Sequence, residues 1–321
     1  MENCIAYQPS PTNIYCCSYT LVVKVPLKYK SLDIYFRIIF KIKQLIKPKN
    51  LDERNSSEPY LSPDTYFSLA EFTITSEFDF QQITHIKRDF KSVYIVGELI
   101  EKLISNLSSL RELTIGSLVI GESDTNQSTE NLEPLLNIAQ QIYSNNLIGS
   151  HHKIKPIPLG LERQCYRSSG ELKNFRKSYN NSTSKRSIPF LIAWNDSTNL
   201  KRKRYRSDFM NSRNSLILDK RYSAKVVHKL MRNTMFIPSP AGNGLDCHRT
   251  WEALYLGCVP VILKNEFCGD KSWPILIVDD WDELIRRDKF ELFRIYAEYS
   301  ITQDKAIEFG KIILKEIYLN K

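Results

Sequence analysis

The amino-acid sequence predicts an α/β protein made of two Rossmann-like units. Its 321 residues are too many for one minimal module and fit two domains of ordinary size. Runs typical of strands alternate with runs typical of helices, and this alternation favours parallel sheets. A polar stretch at residues 168–187, rich in Ser, Asn and Lys, interrupts the pattern, which then starts again.

The first domain is expected at residues 1–167, where strand-like runs and helix-like runs follow one another. The strand-like runs are Leu69–Thr75, Val93–Gly97 and Ser117–Ser123, with a short further run at Lys153–Glu162. The helix-like stretches are 98–107 and a stretch around Glu130 to Tyr143. Residues 168–187 are interpreted as a linker to the second domain.

The second domain is expected at residues 188–321 and repeats the alternation. It begins with a strand at Ile188–Trp194 and a basic segment, followed by a helix-like stretch at 224–233 and a strand at Met235–Pro238. A Gly-rich turn, a helix, apolar runs at 258–263 and 275–278, and carboxy-terminal helices follow. Two such units create a cleft at the carboxyl ends of their strands, where open parallel sheets bind ligands.

The chain is basic, with 45 Lys and Arg against 36 Asp and Glu. Residues 151–232 contain 20 Lys and Arg but only five acidic residues, so the excess belongs to one region. Such a charge favours acidic partners, such as nucleic acid, anionic lipid or a phosphorylated ligand. A hydrophobic content of 42% excludes the disordered class and, without long apolar runs, the membrane-spanning class.

Residues 31–49 form a basic amphipathic segment. Its apolar residues lie among Arg37, Lys41, Lys43, Lys47 and Lys49. This pattern is typical of a helix on an anionic membrane surface, and the alternative is a helix or strand docked on the body of the protein. The amino terminus shows no secretory-signal pattern. We therefore expect a cytoplasmic protein with a peripheral place on the inner face of a membrane.

The most informative segment, Phe236–Asn265, reads as a strand, a tight turn, a helix and a second strand. The turn is Gly242-Asn243-Gly244, and the helix is expected to be capped near Asp246 and to end before Gly257. Glycines let a backbone approach an anion closely. The free amides of a first helical turn, together with the helix dipole, bind phosphate oxygens.

Three polar side chains of that helix, His248, Arg249 and Glu252, fall within one arc of about 100°. An arginine in the first turn can bind a diphosphate through its planar fork of donors, and a carboxylate one turn later can accept hydrogen bonds from ribose hydroxyls. The combination predicts a nucleotide-diphosphate site. The alternatives are a plain turn and an i, i+4 His–Glu pair on a solvated face.

The stretch SPAGNGLDCHRTWEALYLGCVPVI, residues 239–262, resembles the carboxy-terminal signature of exostosin-like glycosyltransferases, glycosyltransferase family 47 and its bacterial relatives. PIPLGLE at 156–162 and FLIAWNDSTN at 190–199 are similar to two further elements of those proteins. The matches cover about residues 117–281, and the first hundred residues are not clearly matched. The resemblance implies a GT-B architecture, two Rossmann-like domains facing across a cleft, with inverting, metal-independent transfer from a nucleotide sugar.

Carried over residue by residue, the resemblance assigns donor-binding roles to the turn and to the polar face of the helix. Residues at the donor phosphates would be Gly242, Asn243, Gly244, His248 and Arg249, with Glu252 at the ribose. Many GT-B enzymes have a second Glu eight positions after the first. Pro260 stands at that position here, so contacts to the sugar ring are not assigned.

The basic run Lys201–Arg206 follows the first strand of the second domain. Arg204 and Arg206 are candidates to neutralise the leaving diphosphate. The alternative is a solvated or nucleic-acid-binding run.

Inverting transfer needs a base for the acceptor hydroxyl, and the strand ends of the first domain are the expected place for it. Asp124, which follows the run 117–121, is the candidate, with Glu122 and Glu98 as alternatives. The triplet Asp280-Trp281-Asp282 resembles a metal-binding Asp-x-Asp motif, but its place before an apolar helix favours a cap. We expect neither a metal nor a cofactor.

The sequence therefore predicts a glycosyltransferase of polysaccharide biosynthesis. It would move a sugar from a nucleotide-diphosphate donor, a UDP-sugar in the first place, to a glycan or lipid-linked glycan acceptor. On this interpretation we expect no nucleic-acid partner. The alternative is a non-catalytic basic protein that binds nucleic acid or glycan.

Overall fold

The computed structural model describes residues 27–46, 54–86, 88–164, 168–176 and 186–319. In these residues the chain forms two separate five-stranded sheets, each of them all-parallel. This arrangement confirms the predicted α/β class and is consistent with two Rossmann-like domains. The two sheets lie on either side of the predicted linker 168–187, of which residues 177–185 lie outside the described residues.

The first unit follows helix α1 (Leu27–Ile46) and contains the sheet β1-β2-β3-β5-β7 and a separate pair, β4 with β6. Its helices are α2 (Pro63–Leu69), α3 (Glu77–His85), α4 (Ile100–Ser105) and α5 (Thr129–Leu132). Its strands are β1 (Phe72–Ile74), β2 (Phe90–Val96), β3 (Ile115–Gly121), β4 (Gln127–Ser128), β5 (Ala139–Ser144), β6 (Leu147–Ile148) and β7 (Ile154–Pro156).

The second unit contains the sheet β12-β11-β10-β8-β9. Its strands are β8 (Ile188–Ile192), β9 (Ser215–Ile217), β10 (Thr234–Pro238), β11 (Val259–Leu263) and β12 (Leu276–Val278). The helices of this half are α6 (Lys201–Met210), α7 (Ala224–Met231), α8 (His248–Tyr255), α9 (Asp282–Ile285), α10 (Lys289–Tyr299) and α11 (Gln303–Tyr318).

Both faces of the first sheet are covered, which explains why β2 and β3 are apolar along nearly their whole length. The strand order follows the chain order, so the connecting helices collect on one face. There Ile83 of α3 and Leu103 of α4 pack with Val93 and other strand residues. The opposite face packs against α2 and against Ile317 of the carboxy-terminal helix α11.

In the second sheet, the chain places its next strands first on one side of β8 and then on the other. From β8 the chain passes through α6 to β9 on one side, and then through α7 to β10 on the other side of β8. Phe209 of α6 belongs to the core on one face of the sheet, whereas Val226 of α7 belongs to the core on the other. Open parallel sheets bind ligands beyond the carboxyl ends of the strands at such a switch point.

The predicted helix around Glu130 to Tyr143 is wrong in its second part. Only α5 and a following turn of 3-10 helix form there, and Ala139–Ser144 is strand β5, paired with β3 and β7. Leu135, Ile138 and Ile142 have a helical spacing, but pairing between two strands overrides that local signal. Strand β9 had no predicted counterpart in the sequence analysis.

The carboxy-terminal helix α11 contacts both units. Ser117 Oγ of β3 donates a hydrogen bond to the carbonyl of Ile317 at 2.7 Å. On the other unit, the ring of Phe309 stacks on Trp251 of α8 with the ring centroids 6.2 Å apart. Among the described residues, no helix combines the length and the apolar character that crossing a membrane requires.

Candidate functional site

The carboxyl ends of the two sheets meet, and most of the predicted site residues lie at this junction. Asp124 follows β3 and Asn146 follows β5, while the Gly-rich turn follows β10. Asn243 Nδ2 donates a hydrogen bond to Asp124 Oδ2 at 3.2 Å. The amide of Asp246 donates to Asn146 Oδ1 at 2.6 Å. The candidate base and the candidate phosphate-binding turn are therefore in direct contact.

The two glycines of the turn pack closely against other side chains. Gly244 is buried, and a Cβ there would overlap the side-chain amide of Asn146 across the junction. A Cβ at Gly242 would lie 2.9 Å from Arg202 Nη2. Between them Asn243 is exposed. The roles of these three residues at donor phosphates stay a prediction, since packing alone already accounts for both glycines.

Asp246 fixes the start of α8 to the first unit. The helix begins after Cys247, and the buried carboxylate of Asp246 accepts hydrogen bonds from the amides of Leu159 and Cys247, at 2.8 and 2.7 Å, and from Trp251 Nε1. Burial raises the pKa of Asp246 to about 6, although these hydrogen bonds act to lower it. Asp246 therefore does not cap the amides of the first turn, as the sequence had suggested, but joins the two units.

His248 also bridges the junction. Its Nδ1 lies 2.8 Å from the carbonyl oxygen of Gly160, which follows β7, and its Nε2 lies 3.5 Å from Glu162 Oε1. The side chain is 29% exposed, so one edge of the ring stays open to solvent. The PIPLGLE element and the polar face of α8, which the sequence had singled out separately, are thus neighbours.

Arg249 lies at the switch point of the second sheet. Its Nη2 donates to the carbonyl oxygen of Ala193, directly beyond β8, at 3.3 Å. Its Nη1 is buried and has no hydrogen-bond acceptor in the described part of the chain. Burial and the nearby Arg202 lower the pKa of Arg249 to about 10, while Cys247 and Glu252 act in the opposite direction. The guanidinium still carries its charge at neutral pH, and that charge is not fully compensated.

Glu252 is buried one turn further along α8. Its Oε2 lies 3.3 Å from Nε2 of His228 on α7, itself almost completely buried. Burial acts to raise the pKa of Glu252, but His228, Arg249 and His248 outweigh it and hold that pKa below its ordinary value. The carboxylate is thus kept charged in an enclosed position beside Arg249, where hydroxyl groups could donate to it.

Of the three acids considered as a base, only Asp124 has a described contact with the second unit. Glu122 is bonded to Arg54, to Arg163 at 3.2 Å and to the hydroxyl of Tyr94 at 2.8 Å, all within the predicted first domain, residues 1–167. Glu98 is exposed in the turn after β2. Asp124 itself is exposed and lies at the end of β3.

The basic run Lys201–Arg206 forms the start of α6, and its members have different surroundings. Arg206 pairs with Asp196 at 2.9 Å and donates to the carbonyl of Trp194 at 2.7 Å, so it has acceptors within the protein. Arg204 is exposed on the helix. No described hydrogen bond connects Arg204 or Arg206 with Arg249. Arg206 contributes only a weak charge repulsion there.

Two residues that the sequence did not single out hold the loop after β10. Arg202 is buried and donates to the carbonyls of Ala241 and Pro240, each at 2.8 Å. Glu266 is buried after β11 and accepts from the amide of Ala241 at 2.8 Å and from the hydroxyl of Tyr205 at 3.0 Å. Nothing in the local pattern distinguishes Arg202 from its basic neighbours, because only the fold turns it inward.

The Asp280-Trp281-Asp282 triplet lies at the start of α9. Asp280 Oδ1 accepts from the amide of Asp282 at 2.8 Å, and Trp281 is buried in the core. Both observations agree with a helix start rather than a metal motif. A search of the described residues finds no group of three or more His, Cys, Asp or Glu side chains arranged to hold a metal ion.

Comparison with models of known protein families finds none that matches this chain. A search of curated proteins likewise finds no significant match. The interpretation of the junction therefore depends on its geometry and on the resemblance carried by the motifs.

Proposed function

We propose that this protein is a glycosyltransferase of the exostosin-like type with a GT-B arrangement. In this proposal the second unit holds a nucleotide-diphosphate sugar at its switch point, and the first unit presents the acceptor. Support comes from the contact between the two carboxyl edges, from the motifs at residues 156–162, 190–199 and 239–262, and from the charge of the site.

The observation that carries the proposal is the buried, unpartnered Nη1 of Arg249 at the switch point. A buried donor without an acceptor costs free energy, and a buried charge without a partner costs more. A diphosphate supplies both negative charge and oxygen acceptors in the plane of the guanidinium. The amides of His248 and Arg249 add to this, since neither makes a hydrogen bond within the described part of the chain.

The remaining roles follow from this position of the donor. Glu252, beside Arg249, would accept hydrogen bonds from the ribose hydroxyls. Asp124 would take the proton from the acceptor hydroxyl, whose oxygen attacks the anomeric carbon while the bond to the diphosphate breaks. The charge that develops on the leaving diphosphate would be stabilised by Arg249 and the first turn of α8.

The test is a turnover assay with a panel of nucleotide sugars and oligosaccharide acceptors. We expect Arg249→Ala to lower kcat/KM by roughly 100-fold or more, because it removes the charge that faces the leaving group. Asp124→Asn should lower kcat by roughly 100-fold and leave the KM of the donor nearly unchanged, since a base acts in the chemical step. Arg213→Ala, at an exposed arginine outside the site, is the matched control.

Turnover of no donor by the parent, or equal turnover by the parent and Arg249→Ala, would contradict the proposal. A parent that binds oligosaccharide without turnover would instead support the glycan-binding alternative. Nucleic-acid binding through Lys201–Arg206 has less support, because Arg202 and Arg206 are engaged inside the protein. It would appear as strongly salt-dependent binding of oligonucleotides.

A further inference from the structure

Helix α1 has an apolar row that faces solvent. Leu27, Ile34, Tyr35 and Ile38 are all more than half exposed, with relative exposures between 52% and 74%. At 100° per residue these four positions lie on one face of the helix, together with Ser31. Large apolar side chains in such a contiguous row indicate an interaction surface, whereas scattered ones do not.

The opposite face of α1 fixes the helix to the second unit. Tyr29 is buried there and Phe36 packs beside it, in the same core cluster as Val226 of α7. Asp33 is buried and accepts a hydrogen bond from the amide of Ser223 at the start of α7. Since these contacts hold the helix, the outward row is a surface of fixed orientation and is not needed for docking within the chain.

Basic residues flank the apolar row on both sides. Those of α1 are Lys28, Lys30, Arg37 and Lys41, of which Arg37 pairs with Asp33 and donates to the carbonyl of Arg221. On the opposite, docked face of the helix, Lys225 Nζ lies 4.1 Å from the centroid of Phe36 and Lys229 Nζ lies 5.6 Å from that of Tyr29. The only acid described on α1, Asp33, is buried on the inner side.

We propose that this outward face of α1 binds an anionic membrane surface. The apolar row enters the boundary between headgroups and acyl chains, and the exposed lysines beside it, Lys28 and Lys41, contact lipid phosphates. A second copy of the chain is a poor occupant, because two such faces would bring their basic rims together. The proposal is independent of the glycosyltransferase function, since it uses no residue of that site.

The test is co-sedimentation of the full chain with vesicles. We expect at least about tenfold tighter binding to mixed phosphatidylcholine–phosphatidylglycerol vesicles than to phosphatidylcholine alone, because the basic rim requires negative lipid. The double variant Ile34→Ser/Ile38→Ser should lose roughly tenfold or more of that binding. The control is Ile312→Ser on α11, which replaces an isoleucine of similar exposure, 59%, elsewhere on the molecule.

Circular dichroism and the Tm check that the variants fold, and both should match the parent because the replaced side chains are exposed. Three results would overturn the proposal. The first is equal binding to the two kinds of vesicle, and the second is equal vesicle binding by the parent and the α1 variant. The third is a parent that does not bind vesicles but forms a concentration-dependent dimer, which the α1 variant no longer forms.

Discussion

Arg249 carries a positive charge in a position where the second unit supplies too few acceptors. Its neighbours include the buried Arg202, whose own donors are used by carbonyls of the loop after β10. The lowered pKa of Arg249 shows that its charge is costly there. An anion bound beside it would remove part of this cost, which is the physical basis of the diphosphate site proposed here.

Asp246 provides a pH-dependent contribution to stability. Its pKa is about 6 in the folded protein against an ordinary value of 3.8, so the folded state binds the proton more tightly. This stabilisation is complete below the ordinary pKa and is lost as the pH rises through about 6. We expect the free energy of unfolding of the parent, relative to Asp246→Asn, to fall by about 1 kcal/mol between about pH 5 and about pH 7.5.

Urea unfolding of both proteins at the two pH values measures this difference. Asparagine keeps the size of the side chain but does not titrate, so the comparison removes the contributions of all other groups. A difference that stays constant with pH, or that grows as the pH rises, would show that the carboxyl group of Asp246 does not titrate as described.

The sequence allows the relative placement of some candidate residues to be predicted and not that of others, for a physical reason. Residues on one helix, such as His248, Arg249 and Glu252, keep their spacing whatever the tertiary structure, so their common face could be predicted. The orientations of Arg202, Arg204 and Arg206 depend on which face of α6 packs on the sheet. The general rule on strand ends placed Asp124 at the cleft, but the contact of Asp124 with Asn243 was not predicted.

At the scale of elements, Arg186, at the end of the predicted linker, connects several elements of the second unit. Arg186 is buried just before β8 and donates to three carbonyls: Met231 of α7 and Thr234 of β10, at 3.1 and 2.6 Å, and Leu256 after α8, at 2.8 Å. These carbonyls belong to the ends of elements, and the carbonyl of Met231 also accepts from the thiol of Cys258 at 3.0 Å. One side chain therefore joins the end of α7, the start of β10 and the end of α8.

We expect Arg186→Met to lower the free energy of unfolding by about 3 kcal/mol, because it leaves buried carbonyls without donors. Urea unfolding followed by tryptophan fluorescence is the measurement. The matched control, Arg213→Met at an exposed arginine, should change that free energy by less than about 0.5 kcal/mol. Similar losses for the two variants would mean that the hydrogen bonds of Arg186 add nothing to stability.

Elements with continuous apolar runs were predictable, whereas an element whose apolar residues have another spacing was not. β2 and β3 have seven residues each and almost no exposed position, so their apolar runs identify them. β5 has exposed and half-buried residues at its second and third positions, and its apolar spacing imitates a helix. This segment is a strand because it pairs with β3 and β7, and the local sequence pattern does not indicate that pairing.

At the scale of the whole molecule, several contacts fix the two units against each other. The buried carboxylate of Asp246 accepts from Leu159, the hydroxyl of Tyr255 accepts from the amide of Leu61, and α11 reaches back to β3. Of these contacts, the hydrogen bond from Leu159 to Asp246 lies beyond the carboxyl ends of β7 and β10, two residues before His248. A ligand held by Arg249 would then lie within reach of groups from both units.

The most direct test of this account is a calorimetric titration of the protein with UDP, GDP and dTDP. The account predicts that the parent binds at least one of these diphosphates and that Arg249→Ala weakens that Kd by roughly 10- to 100-fold, with Arg213→Ala unchanged. The absence of binding by the parent, or the same Kd for the parent and Arg249→Ala, would contradict it.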